Sequence, residues 1–192
     1  LYNMVNVMKI VIAPQAFKGS LSALSAARAI ARGVLASDPT TETALVPVAD
    51  GGDGTLNALI DSTNGRIFKS IVTGPLGFSV ESEWGVMGDG KTAVIEMAQA
   101  SGLVLVPPKG RNPLNTTTRG TGQLIKEALD KGYLRIIVGL GGSATNDGGA
   151  GMASALGVQF LDREGKSLAD GGAALSELCH IDLTAIHPGL KS

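Results

Sequence analysis

Apolar residues along this chain change their period at short intervals, and each change marks an element. Lys9–Ala13 is short, apolar and rich in β-branched residues, which predicts a buried strand. Ser20 or Ser22 offers a helix N-cap. Leu24, Ala27, Ala31 and Val34 then recur at helical spacing to about Ser37, and Pro39 closes the segment. Thr43–Ala49 predicts a second strand, Thr55–Thr63 a helix carrying Leu56, Leu59 and Ile60, and Arg66–Thr73 a third strand. The order β-α-β-α-β predicts a parallel sheet with crossover helices.

The pattern shifts after Gly74-Pro75-Leu76-Gly77, and a domain boundary is expected there, dividing 8–74 from 75–192. Val80–Met87 and Lys91–Met97 alternate as strands around Gly88-Asp89-Gly90, a hairpin signal. Gly102–Val106 is short and apolar, and Pro107–Thr118 is a long polar loop. Thr121–Lys131 predicts an amphipathic helix with Leu124, Ile125, Ala128 and Leu129 on one side. Arg135–Val138 predicts a strand, Ala150–Leu156 a helix and Val158–Leu161 a strand. The tail from Ala169 predicts a weaker helix and loop. The fold class is α/β.

Composition narrows the function classes. The 192 residues are 44% hydrophobic, enough for a real core. Sixteen basic and seventeen acidic residues leave a net charge of −1 with no long block of one sign, which argues against a nucleic-acid partner. Aromatic residues make up 4%, too few for base-stacking platforms. A single cysteine, Cys179, allows no internal disulfide and suggests no cysteine metal site. It is expected to be a small buried apolar residue. No basic segment precedes an apolar stretch at the start, and no apolar run approaches the ~20 residues of a membrane span. A soluble cytoplasmic protein without a membrane partner is expected, with Met8 as its natural start and Leu1–Val7 as an extension.

Three loops then share one design: strand, glycine-rich or polar turn, helix. In open parallel sheets such loops gather at the carboxyl ends of the strands, where ligands bind. The richest is 139–151, Gly-Leu-Gly-Gly-Ser-Ala-Thr-Asn-Asp-Gly-Gly-Ala-Gly. Six glycines there let backbone N–H groups turn toward a ligand, which predicts an anion cradle. Its candidates are Gly141, Gly142, Ser143, Thr145, Asn146, Asp147 and Gly148. The bland alternative is a flexible surface loop. The second is Asp50-Gly51-Gly52-Asp53-Gly54-Thr55. Its two carboxylates suit a general base or oxygen ligands for Mg²⁺, against the alternative of an Asx-turn and N-cap. The third carries Lys18 just before a helix, suited to a phosphate or carboxylate, although a solvated lysine is the commoner case.

Two motifs are decoys. Gly85–Thr92 fits the Walker A spacing, but strand-like residues follow Lys91 where a helix is required. Gly139–Ala144 fits a dinucleotide fingerprint with Asp162 as its distant acid, but Asn146-Asp147-Gly148-Gly149 falls where the helix should already run. His180 and His187 lie in the tail and are expected to have no acidic or serine partner nearby, so neither is expected to act as base or ligand. Trp84 is expected to pack on the hairpin. Lys109, Arg111 and Arg119 border the long loop and could meet an anionic substrate, though solvation is the simpler expectation.

MKIVIAPQAFKGSLSA, PVADGGDGT, TGPLG, GDGKTAVIEMAQASGL, RNPLNTTTRGTGQLI and GLGGSATNDGGAGM, in this order, resemble the bacterial glycerate kinases that form 2-phosphoglycerate. The resemblance runs from Met8 to about Leu183. It implies a Rossmann-like segment plus a second, different α/β domain, and transfer of a phosphoryl group from ATP to glycerate with Mg²⁺. It implies Asp50, Asp53 and Lys18 as catalytic residues and Gly51, Gly52, Gly54, Thr55 and the 141–148 loop around substrate and phosphates. Asp50 and Asp147 are the expected Mg²⁺ ligands. Gln15 and Ala16 stand where the family has an acid and a serine. Such kinases are about twice this length, so the chain is expected to be an N-terminal half. The competing functions are a non-catalytic phosphometabolite-binding domain and an NAD(P)-dependent oxidoreductase.

Overall fold

The computed structural model describes residues 7–17 and 20–191. Lys18 and its expected role therefore lie outside the described residues. The chain divides into two compact units, Leu1–Asp50 and Gly51–Ser192.

The first unit holds a parallel pair, β1 (Lys9–Ile12) and β2 (Glu42–Leu45), joined by helix α1 (Ala23–Ser37). Ser22 begins the helix by accepting the Ser25 N–H on its hydroxyl, at 3.2 Å. Ala26, Ala27 and Ala31 form the buried stripe of α1, and Ile12 packs with Ala27 and Ala31. Small alanines on this face let the helix lie close to the strands.

The second unit is built on a four-stranded sheet in the order β3-β4-β5-β6: Arg66–Thr73, Ser79–Val86, Thr92–Glu96 and Arg135–Gly139. β3 and β4 pair antiparallel over eight residues, β4 and β5 antiparallel, and β5 and β6 parallel. This corrects the expectation that β3 continues the first parallel sheet. Gly74–Gly77 is a hairpin turn, not a linker: Gly74 donates to Phe78 at 2.7 Å and Gly77 to Gly74 at 3.0 Å. The compact units accordingly part after Asp50, earlier than the boundary expected near residue 74.

Helices α2 (Thr55–Thr63), the short α3 (Ala98–Ser101), α4 (Arg119–Asp130) and α5 (Ala150–Ala155) surround this sheet. Every residue of β5 is buried, as befits a central strand. Trp84 is fully buried, stacks on Phe68 at 4.7 Å and meets Tyr133 edge-on at 6.0 Å. A pair β7 (Gln159–Leu161) and β8 (His180–Asp182) closes the unit. Two expectations fail in this tail. Cys179 is exposed. His187 has an acidic partner, Asp130, at 3.0 Å, brought from 57 residues away by the fold. Among the described residues no helix is long and apolar enough to cross a membrane.

Candidate functional site

Gly85–Thr92 forms the β4–β5 hairpin, which leaves Lys91 exposed on its turn. Asp89 closes that turn by accepting the Lys91 and Thr92 N–H groups and the Thr92 hydroxyl. These bonds hold its carboxyl at about 2. Asp162 likewise accepts the Glu164 and Lys166 N–H groups in a turn, so its carboxylate is engaged locally. The first decoy has no helix after its lysine, and in the second the helix begins only at Ala150, beyond the motif instead of within it.

The loops at 51–55 and 139–149 lie side by side within the second unit. A Cβ on Gly141 would stand 2.5 Å from Gly52 Cα, and one on Gly51 would stand 2.9 Å from the Leu140 carbonyl oxygen. A Cβ on Gly139 would stand 2.9 Å from the Gly51 oxygen. These three glycines permit backbone to touch backbone. Part of the glycine content that suggested a cradle thus serves contact between the two loops. Gly54, at φ +92°, has open space where a Cβ would go, and so requires glycine for its dihedral alone.

Both loops are held by buried carboxylates. Asp147 is 1% exposed. Its Oδ2 accepts the N–H and hydroxyl of Thr118, both at 2.8 Å, and the Gly151 N–H at 3.1 Å. Its Oδ1 accepts the Gly149 N–H at 3.1 Å. Thr118 precedes α4 and Gly149 precedes α5, so one side chain ties two helix starts to the loop. Its oxygens, expected from sequence to bind Mg²⁺, accept four donors of the chain itself.

The second carboxylate is Glu96, the last residue of β5, also 1% exposed. It accepts the Gly54 N–H at 3.1 and 3.2 Å and the Leu56 N–H at 2.9 Å. The Thr55 N–H goes to the Gly52 carbonyl at 3.1 Å, and the Thr55 hydroxyl to the same carbonyl at 2.7 Å. The first turn of α2 is therefore already capped from within, where a phosphate cradle was expected. Burial pushes the Glu96 carboxyl above its ordinary range. The Leu56 and Gly54 N–H groups oppose the shift and the Asp53 charge adds to it.

The exposed groups differ in kind. Asp53 is exposed, with Oδ1 beside Gly142. Asp50 is exposed in the first unit. Ser143 accepts the Thr145 N–H at 3.1 Å, and the two hydroxyls are 3.0 Å apart. Asn146 and Gly148 are exposed at the same tip, whose flank is pinned where Thr116 donates to the Ala144 carbonyl at 2.8 Å.

A family model described as "Glycerate kinase family" matches residues 10–192. The chain belongs to the glycerate kinase family. It is 58% identical over 185 residues to a glycerate kinase of Bacillus subtilis (strain 168), covering 96% of this chain and 48% of the relative. It is 54% identical over 184 residues to a glycerate 2-kinase of Escherichia coli (strain K12), with 96% and 48% covered. The crystal structure of a proposed glycerate kinase 2 from Salmonella typhimurium LT2 superposes with a TM-score of 0.82 at 52% identity, covering 94% of this chain and 48% of that one. The chain spans about half the length of these relatives. The α/β class and the relation to an N-terminal half agree with the expectations from sequence.

Within this chain, Glu96 is the residue that motif reasoning passes over. One signal points to it: a lone acid within the apolar run Val94-Ile95-Glu96-Met97 of a central strand must find donors or go uncompensated.

Proposed function

We propose that the protein containing this chain is an ATP-dependent glycerate kinase that transfers the γ-phosphoryl group to a glycerate hydroxyl, giving 2-phosphoglycerate. The observation that carries this reading is the abutment of the 51–55 and 139–149 loops, which sets exposed Asp53 beside Gly142. The family membership supports the same chemistry.

Phosphoryl transfer needs position and charge neutralisation more than covalent chemistry. Asp53 or Asp50 accepts the proton of the attacking hydroxyl, and Asp50 would hold Mg²⁺. That ion, when bound, would neutralise phosphate charge. Lys18 supplies a cation for a phosphate or carboxylate. Gly51, Gly52, Gly54 and Thr55 shape the first turn. Gly141, Gly142, Ser143, Thr145, Asn146 and Gly148 form the second, with hydroxyl and amide donors at its tip. Asp147 and Glu96 hold these turns in place. The setting proposed is cytoplasmic, with a small-molecule substrate and no nucleic acid.

The test is turnover of ATP and glycerate by the full-length protein, with phosphorus NMR to tell the 2-phosphate from the 3-phosphate. Asp50→Asn and Asp53→Asn are each assayed. At least one loses about 10²- to 10⁴-fold in kcat, the usual range for a general base. Unchanged turnover in both variants overturns the assignment of these carboxylates.

A further inference from the structure

The three cations bordering the 107–118 loop have different fates. Arg119 grips Asp170 with two hydrogen bonds, each 2.7 Å, so its charge is compensated. Lys109 is exposed on a 3₁₀ turn (Pro108–Gly110). Arg111 has no carboxylate at ion-pair distance among the described residues. Its Nε reaches only the Val106 carbonyl, at 3.4 Å.

Arg111 borders a cavity of about 240 Å³ that the 139–149 loop closes from the other side. Asn112, Ser143 and Thr145 line it as well, with Leu103 and Val106 in its wall, and no acidic side chain does. The donors can be counted. Asn112 Oδ1 accepts the Leu114 N–H at 3.1 Å, which leaves its NH₂ group as the remaining face. The Ser143 hydroxyl donates to the Thr145 carbonyl at 3.2 Å and stands 3.0 Å from the Thr145 hydroxyl, so these two line the cavity as polar groups engaged with each other. A guanidinium and an amide NH₂ beside an acid-free space favour an oxyanion, because charge-assisted bonds to a carboxylate are the strong ones. The volume equals roughly eight waters at ~30 Å³ each, room for a three-carbon acid but small beside the ~300–1,000 Å³ of larger ligand sites.

We propose that this cavity is the subsite for the carboxylate of a small hydroxy acid, with Arg111 as counter-ion, the Asn112 NH₂ group as donor, and Ser143 and Thr145 in its lining. The identity of the acid as glycerate rests on the kinase assignment above, while the preference for an oxyanion rests on the cavity. A terminal ATP phosphate offers the same chemistry and is the rival occupant.

The full-length protein and its Arg111→Gln and Arg111→Lys variants are compared in two assays. In steady-state kinetics, Arg111→Gln raises the KM for glycerate about 10- to 100-fold, as for a lost charged hydrogen bond, and leaves the KM for ATP within twofold. Arg111→Lys keeps the charge without the planar fork and falls between. In calorimetry the wild type binds glycerate in preference to glycerol, which lacks the carboxylate, and Arg111→Gln abolishes that preference. An unchanged KM for glycerate overturns the proposal. So does a rise confined to the KM for ATP, which would place a phosphate in the cavity. If the wild type does not turn glycerate over, the kinase assignment fails by itself. Calorimetry then decides the subsite: glycerate binding weakened by Arg111→Gln upholds it, and equal binding overturns it. Near-UV circular dichroism confirms folding, and should Arg111→Gln misfold, Arg111→Lys shows the same KM split at smaller size.

Discussion

The turns at 51–55 and 139–149 look alike in sequence, yet they are built differently. Each follows a strand-like run, opens a helix and depends on a buried carboxylate. In the second loop that carboxylate is Asp147, a member of the loop itself, with four donor groups arranged about it. In the first it is Glu96, which arrives from β5, 40 residues beyond the Leu56 amide it accepts. Asp53, the acid inside the first turn, stays exposed. An acid in a glycine loop is thus free for chemistry only when another group holds the loop. Asp53 is released to solvent because Glu96 holds its turn, whereas Asp147 is bound because it holds its own.

Removing the self-contained anchor should cost most. Asp147→Ala leaves the Thr118, Gly149 and Gly151 N–H groups without their acceptor, and buried donors so stranded cost ~1–3 kcal/mol each. Partial relaxation brings the expected loss to about 3–5 kcal/mol. Denaturant unfolding measures the loss, and hydrogen exchange at Thr118 and Gly151 localises it. A loss under about 1 kcal/mol would mean that the carboxylate is not the anchor, and would reopen a ligand role for it.

The contact between the turns gives the next effect. Gly141→Ala drives a Cβ to 2.5 Å from Gly52 Cα, a collision between two backbones that no rotamer relieves. Overpacking of this kind costs about 1–3 kcal/mol and should raise amide exchange in both turns together. Gly54→Ala is the matched control. Nothing stands within 4 Å of its Cβ, so only the positive φ is penalised, by roughly 1–2 kcal/mol, with exchange confined to the first turn. Equal and local effects from the two variants would show that the turns are independent.

The same contrast explains what was legible in the sequence. Alternation located β3 at Arg66–Thr73, and the residues form that strand. Periodicity reports that a strand exists, not which neighbour accepts its hydrogen bonds, so β3 was expected in a parallel sheet and lies antiparallel beside β4. The two glycine loops were legible as a composition. Their mutual contact was not, because room for a ligand and room for another backbone call for the same residue. Asp147 was conspicuous, but its partners were not legible, since they depend on Thr118, 29 residues away. Glu96 was overlooked because no motif surrounds it; only its charge inside a buried strand marks it.

Glu96 supplies the smallest and most discriminating test. Burial raises its carboxyl above the usual 4.5, with Asp53 assisting and the Leu56 and Gly54 N–H groups resisting. Between the unfolded and folded values the native state therefore binds more protons, and stability falls as pH rises through that window. The contribution is fully present below the unfolded value and lost above the folded one. Glu96→Gln keeps the shape and one carbonyl acceptor but does not titrate in this range. At neutral pH it should cost about 1 kcal/mol or less, on the order of one neutral hydrogen bond. The margin of wild type over Glu96→Gln, followed by unfolding from pH 4 to 8, should be widest in acid and shrink upward; other carboxylates titrate in both proteins and cancel. A margin that widens with pH instead would mean that the N–H bonds outweigh the cost of burial. Glu96 would then be held as an anion, and the two loops would share one kind of anchor after all.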